Sequence, residues 1–316
     1  MLAHWNPSGI ALVSLWLLII TTSTAFSSLD DGRPVAIITG GTRGIGSGIA
    51  SALADDGFDL LLTYNSNVQA AQDFVKTLQD KHPSIHCELV GGDLSKEETR
   101  HAIFDCFDTK FDGNSHHLQV AVHNAGQYLG VTSTNEAGLD AQSTSFGDNS
   151  ILDENGIPNL QAMKFYQRLY GDAWIDLCER GIARMNSANG GSLIGISSPS
   201  VNSMYRPDPT YSLPGSGKCI MEYSNRILAL KGAAMNINCN VIIPGVTLTD
   251  SWNYSARQYG AKSAEEIIDR AVSSRVPMKR PLDVRGIGDV VSFLCSPQGR
   301  YITGVALPVD GGMHLR

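Results

Sequence analysis

The stretch PTYSLPGSGKCIMEY, residues 209–223, sets a phenol and an amine seven positions apart, at Tyr211 and Lys218. A phenol ordinarily titrates near 10, so moving its proton at working pH calls for a neighbouring positive charge, which an ammonium can supply. Ser198, the second serine of GISS, stands thirteen residues before Tyr211 and offers a hydroxyl. A second stretch, TGGTRGIG (39–46), spaces glycines at 40, 44 and 46. That spacing permits a tight turn, close approach of a pyrophosphate to the backbone, and close helix packing. Proton transfer and phosphate binding are therefore the two chemistries on offer. Whether Tyr211 and Lys218 are a working pair, a disabled one or a coincidence depends on the elements that carry them.

Those elements alternate. VAIIT (35–39), DLLLTY (59–64), HCELV (86–90), LQVAVH (118–123), SLIGIS (192–197), CNVII (239–243) and GVALPV (304–309) read as seven strands. Helical periodicity lies between them, as in 46–56 and 217–234, and Ser95 with Glu98 forms a capping box that opens a helix running through Phe107. Strand and helix in alternation predict an α/β fold: a doubly wound, Rossmann-type parallel sheet of seven strands with helices on both faces. Ligands of such a sheet bind beyond the carboxyl ends of its strands. The first strand runs directly into the glycine stretch, and a helix comes next, whose free N–H groups can receive phosphate. Pro214 is expected to start the helix carrying Lys218, which leaves Tyr211 on the loop above it.

Charge narrows the nucleotide. An acid at the end of the second strand would hydrogen-bond the ribose hydroxyls of NAD and repel a 2′-phosphate, and TYNSN (63–67) has none. Arg43, inside the glycine turn, can bind that phosphate with a charged fork, and Asn65 and Ser66 can donate neutral hydrogen bonds. The cofactor expected is NADPH.

The 316 residues carry a net charge of −7, which leaves no basic footprint for nucleic acid. The six cysteines have no paired spacing, against both a disulfide framework and a zinc site, and the doublet His116–His117 is read as a solvated turn; no metal is expected. At the N-terminus, IALVSLWLLII (10–20) is succeeded by Ser23 and Ala25 at the −3 and −1 positions of a cleavage after Ala25. Residues 1–25 thus read as a signal peptide leading to the secretory pathway or ER. A retained anchor and delivery to a secondary plastid are the alternatives.

From residue 34 to 314 the chain resembles the short-chain dehydrogenase/reductase family. The motifs are Thr39-Gly40 with Gly44-Ile45-Gly46, Asp93 in GDL, Asn124-Ala125-Gly126, Pro244-Gly245, and the C-terminal Tyr301–Gly304 and Val309–Gly312. The resemblance implies a cofactor held by Gly40, Thr42, Arg43, Gly44, Ile45 and Gly46, by Asp93 and Leu94, by Asn124, Ala125 and Gly126, and by Pro244, Gly245, Thr247 and Thr249. It implies that a tyrosine moves the proton, a lysine tunes that tyrosine and holds the nicotinamide ribose, and a serine orients the substrate. Lys218 lies 26 positions before Pro244, the interval kept by the family lysine, but four positions before it stands Pro214, which can neither donate nor accept a proton. A tyrosine seven before the lysine is the pattern of the family's enoyl-acyl-carrier-protein reductases, whereas the glycine motif is of the 3-oxoacyl reductase type. The catalytic set expected is Ser198, Tyr211 and Lys218, with Tyr205 as the rival phenol. The asparagine that the family keeps in its fourth helix is missing, and Arg168 is nearest its place.

The segment 127–160 is a long insertion beside the pocket, and 246–280 is the expected substrate-binding loop. The activity implied is NADPH-dependent reduction of a carbonyl or enoyl group on an apolar or acyl-thioester substrate. The resemblance further implies a homotetramer built through helices around 160–182 and 216–233. The alternatives are an NADPH-binding pseudoenzyme and a membrane-anchored lipid or steroid dehydrogenase.

Overall fold

All seven expected strands form, and they pair in parallel in the order β3-β2-β1-β4-β5-β6-β7. They are β1 (Arg33–Thr39), β2 (Asp59–Tyr64), β3 (Cys87–Gly91), β4 (His116–His123), β5 (Gly191–Ile196), β6 (Ile237–Pro244) and β7 (Ala306–Val309). The computed structural model describes residues 32–111, 113, 115–127, 151–186, 188–258 and 261–316. The proposed signal segment and most of the 127–160 insertion lie outside these residues.

Side chains alternate across a strand, so each strand feeds two cores, one on either face of the sheet. In β1, Val35 and Ile37 enter one core, Ala36 and Ile38 the other. On the second face lie α1 (Gly44–Asp55), α2 (Val68–Lys81) and α9 (Val284–Cys295), contributing Ile49, Leu53, Val75, Leu78, Ile287 and Val291. On the first face lie α3 (Glu97–Lys110), α4 (Gln161–Tyr166), α5 (Ala173–Ile182) and α6 (Ser212–Ala233). Phe104, Tyr166, Trp174 and Met221 anchor that side. Burial on both faces is why the strands read as unbroken apolar runs. Two further helices, α7 (Ser251–Gln258) and α8 (Ala264–Arg275), come after β6 inside the 246–280 segment.

Three local expectations are corrected. The helix after β3 is not opened by a Ser95–Glu98 box: it starts at Glu97 with Lys96 in the capping place and no side-chain cap. The carboxylate of Asp93 instead accepts the Ser95 N–H at 2.9 Å, a local turn that competes with the cap. His116 and His117 are not a turn but the first residues of β4, and His116 Nε2 lies 3.2 Å from buried Asp59. The helix bearing Lys218 begins at Ser212, two residues before Pro214. Proline is tolerated there because N–H groups of a first helical turn have no intrahelical acceptor. Tyr211 nevertheless stays outside the α-helix, at its capping position.

Between α4 and α5 the chain makes one π-helical turn, Gln167–Asp172. The start of α6 rests so closely against the end of α4 and this turn that a Cβ on Gly217 would lie 2.2 Å from the Tyr166 carbonyl oxygen and 3.0 Å from Tyr170 Cβ. Gly217→Ala should therefore push α6 away from the turn and cost about 1–3 kcal/mol, as overpacking does. Thermal unfolding monitored by circular dichroism should show a fall of several degrees; an unchanged midpoint would mean the contact is not tight.

Candidate active site

The proposed cofactor residues of the glycine turn, Asn65, Ser66, Asp93, Leu94, Asn124–Gly126 and Pro244–Thr249, together with Ser198, lie at or just beyond the carboxyl ends of β1 to β6, where a doubly wound sheet binds ligands, and Lys218 reaches the end of β5 from α6. The glycine turn is built for close approach. Gly40 and Gly44 have φ of +62° and +52°, and a Cβ on Gly46 would sit 2.1 Å from the Gly40 carbonyl oxygen. The amide of Asn124 braces this turn by donating to the carbonyls of Thr39 and Gly40 at 3.1 and 3.0 Å. In return Thr39 Oγ1 accepts the N–H groups of Asn124 and Ala125, both at 3.1 Å. Arg43 stands exposed at the capping position of α1, and Asn65 and Ser66 are exposed in the bend after β2. Thr42 and Ile45 are half-buried, Asp93 is half-buried and Leu94 is buried.

Across from the glycine turn, β6 ends at Pro244, and the Gly245 N–H donates to Val309 O at 2.9 Å. Thr247 is buried with its hydroxyl on Gly245 O at 3.1 Å. The methyl of Thr249 would meet a Cβ on Gly44 at 3.5 Å, so this segment reaches the phosphate-binding turn. Gly126 borders Tyr170, whose hydroxyl donates to Gln127 O at 2.7 Å.

The three proposed catalytic side chains divide into a pair and a single group. Ser198 Oγ and the Tyr211 hydroxyl share a hydrogen bond of 2.7 Å. Lys218 is 4% exposed, donates to the Ile196 carbonyl at 2.5 Å, and places its ammonium 4.0 Å from the centroid of the Tyr170 ring. Burial pushes Lys218 down to about 7, against a smaller opposing pull from Glu222. Burial pushes Tyr211 up to about 12, with the Ser198 hydrogen bond working the other way. One N–H of the amine thus goes to a strand-end carbonyl, and the phenol is protonated across the neutral range. Tyr205 is placed elsewhere: its hydroxyl donates to buried Asp310 at 2.8 Å, and burial together with that carboxylate raises it far above an ordinary phenol.

Three contributors escaped the sequence reading. Tyr170 offers its ring face to the Lys218 ammonium, whereas Arg168, nearest the place of the missing asparagine, is exposed. His123, fully buried at the end of β4, has its Nε2 2.9 Å from Leu169 O in the π-helical turn, and burial, with Lys218 adding to it, pushes its pKa down to about 3. Glu222 lies one helical turn after Lys218, a spacing that could have flagged it. A cavity of about 380 Å³ lined by Asp250, Asn253 and Lys262 lies in the 246–280 segment, and its lining includes none of Ser198, Tyr211 and Lys218.

A family model described as short chain dehydrogenase matches residues 34–149, and one described as enoyl-(acyl carrier protein) reductase matches 172–314. The chain belongs to the short-chain dehydrogenase/reductase family. As a member it is an NAD(P)H-dependent oxidoreductase. It is 28% identical to a short-chain type dehydrogenase/reductase of Picea abies, over 89% of this chain and 92% of the relative. It is 26% identical to the 1-cyclohexenylcarbonyl-CoA reductase of Streptomyces collinus, over 90% and 88% respectively. Among solved structures it resembles a blue fluorescent protein from a metagenomic library in complex with NADPH, with a TM-score of 0.69 and 26% identity over 90% of this chain and 99% of that one.

The buried amine makes the stability of this oxidoreductase depend on pH. Between about pH 7 and the ordinary 10.5 the unfolded chain binds a proton at Lys218 that the folded chain does not, so stability rises with pH across that window. Below it both states are protonated; above it neither is. Lys218→Met removes this dependence. The melting temperature of the parent chain should therefore climb relative to the variant between pH 7 and 10, and a constant difference would show that the folded chain does not depress this amine.

Proposed function

We propose that this family member is an NADPH-dependent reductase of a carbonyl or enoyl group on an apolar or acyl-thioester substrate, with Ser198, Tyr211 and Lys218 as its catalytic set. The observation that carries the reading is the 2.7 Å hydrogen bond between Ser198 and Tyr211 just past the end of β5, the strand whose last carbonyl holds the buried Lys218. The cofactor, when bound, supplies hydride. Tyr211, held protonated by burial, gives its proton to the substrate oxygen, and Ser198, hydrogen-bonded to Tyr211 in the free chain, turns its hydroxyl to that oxygen and aligns it. Lys218 binds the nicotinamide ribose. A protonated phenol suits reduction, because it enters the cycle as an acid.

The turn residues fit a dinucleotide. A Cβ on Gly46 would strike the Gly40 carbonyl and the Asn124 amide, so glycine there lets α1 pack tightly on the turn, and the first N–H groups of α1 lack intrahelical acceptors and can receive phosphate. Arg43, Asn65 and Ser66 form an exposed, acid-free rim that favours the 2′-phosphate of NADPH. The match to an enoyl reductase model, and the relative named as a CoA-ester reductase, support an acyl thioester as substrate. A homotetramer is supported by α6, which exposes Tyr223, Ile227 and Leu230 at helical spacing; light scattering on the purified chain would report it. Residues 1–25 are proposed as a signal for the secretory pathway, which N-terminal sequencing of mature protein would test.

Two measurements test the reading, given a panel of ketones, quinones and enoyl thioesters offered to the chain with NADPH. Tyr211→Phe should lower turnover by about 10²–10⁴, the scale of losing a general acid, with NADPH affinity nearly unchanged, while Tyr205→Phe keeps most activity. Full activity in Tyr211→Phe would remove the phenol from the catalytic set, and NADPH binding with no turnover on any substrate of the panel would favour a pseudoenzyme instead. Arg43→Ala should erase most of the preference for NADPH over NADH, about 1–3 kcal/mol or about 5- to 150-fold in dissociation constant. Equal affinities in the parent chain would refute the assignment of the rim.

A further inference from the structure

We infer that Glu222 is a positioning residue whose carboxylate holds the turn 197–202 in the shape that presents Ser198 to Tyr211. One oxygen accepts the Ser197 hydroxyl at 2.5 Å, and the other accepts the Asn202 side-chain amide at 2.6 Å. These two contacts bracket Ser200, whose φ of +72° is a left-handed conformation disfavoured for a residue with a Cβ. A strained conformation of this kind persists only when its surroundings over-determine it. A further contact of the turn with α6 is weaker, that of Cys219 Sγ with Val201 O at 3.5 Å. Ser198 lies inside the bracket, next to Ser197, so the direction of its hydroxyl depends on the shape the bracket imposes.

The arrangement also ties two parts of the site to one helix. Lys218 and Glu222 are one turn apart on α6; the first holds the end of β5 through Ile196 O, and the second holds the turn that leaves β5. Serine, lysine and tyrosine are thereby set relative to a single rigid element. Tyr211 caps the same helix.

The inference rests on the proposed proton-donor role of Tyr211 for its consequence in catalysis, but not for its geometry. Crystal structures of Glu222→Ala and Glu222→Gln test the geometry. In Glu222→Ala the Ser198–Tyr211 hydrogen bond should break and Ser200 should leave positive φ, while Lys218 keeps Ile196 O. Glu222→Gln should restore the contact, because its oxygen can accept from Asn202 and its amide can donate to Ser197 Oγ. If Glu222→Ala does not fold, the double variant Ser197→Ala/Asn202→Ala removes the same bracket and should show the same change. An unchanged 2.7 Å contact in either variant overturns the inference, whether or not any substrate is found. With a substrate in hand, Glu222→Ala should lower kcat by up to about 10²-fold, the scale of a small misplacement, at constant NADPH dissociation constant. The same substitution should add little in a Ser198→Ala background. Equal losses in both backgrounds would indicate a general disturbance and would also overturn it.

Discussion

The burial of one ammonium organises this site. Lys218 is taken out of water at the end of a parallel sheet, and the desolvation of its charge has to be offset by groups that the fold places around it. A strand-end carbonyl supplies one hydrogen bond and an aromatic face a second contact. Each partner demands something of the backbone. Ile196 must end β5 with its carbonyl turned to α6, Tyr170 must come off a π-helical turn, and Gly217 must let α6 lie against that turn. Burial among these partners is what lowers the pKa of the amine to about 7.

The tyrosine at the unusual spacing is explained by the same helix start. A proline four residues before the lysine would be a defect if the phenol had to come from the first turn of α6. Here the phenol comes from the residue that caps that turn, and Pro214 sits where a missing N–H costs nothing. From the cap Tyr211 meets Ser198, whose place is set by the turn after β5. On the proposed assignment of Tyr211, the departure from the family spacing moves the phenol by one element boundary and keeps its serine partner.

Much of this is legible in the sequence, for physical reasons. The apolar runs that become β1, β2, β4, β5 and β6 are buried on both faces and so lack the alternation that would confuse them with surface strands. The glycine turn is readable because backbone conformation there excludes other residues, and the interval from Lys218 to Pro244 survives because α6 and β6 have fixed lengths. The π-helical turn is not readable: a single extra residue in a helix leaves no periodic signature, and with it Tyr170 and the partner of His123 stay hidden. The intervals to Ser198 and Lys218 favour Tyr211 over Tyr205, but what occupies the Tyr205 hydroxyl is not legible, because Asp310 arrives from beyond β7. The Ser95 cap fails for a similar reason, since Asp93 offers the backbone a closer acceptor.

If Ser198, Tyr211 and Lys218 surround one reacting centre beside the nicotinamide, a crystal structure of the chain with NADP⁺ must show it. Lys218 should turn from the Ile196 carbonyl to the nicotinamide ribose, the nicotinamide should face the Ser198–Tyr211 pair, and the 2′-phosphate should lie against Arg43. A nicotinamide directed away from Tyr211, or a Lys218 that stays on Ile196 with the ribose held by other groups, would contradict that arrangement.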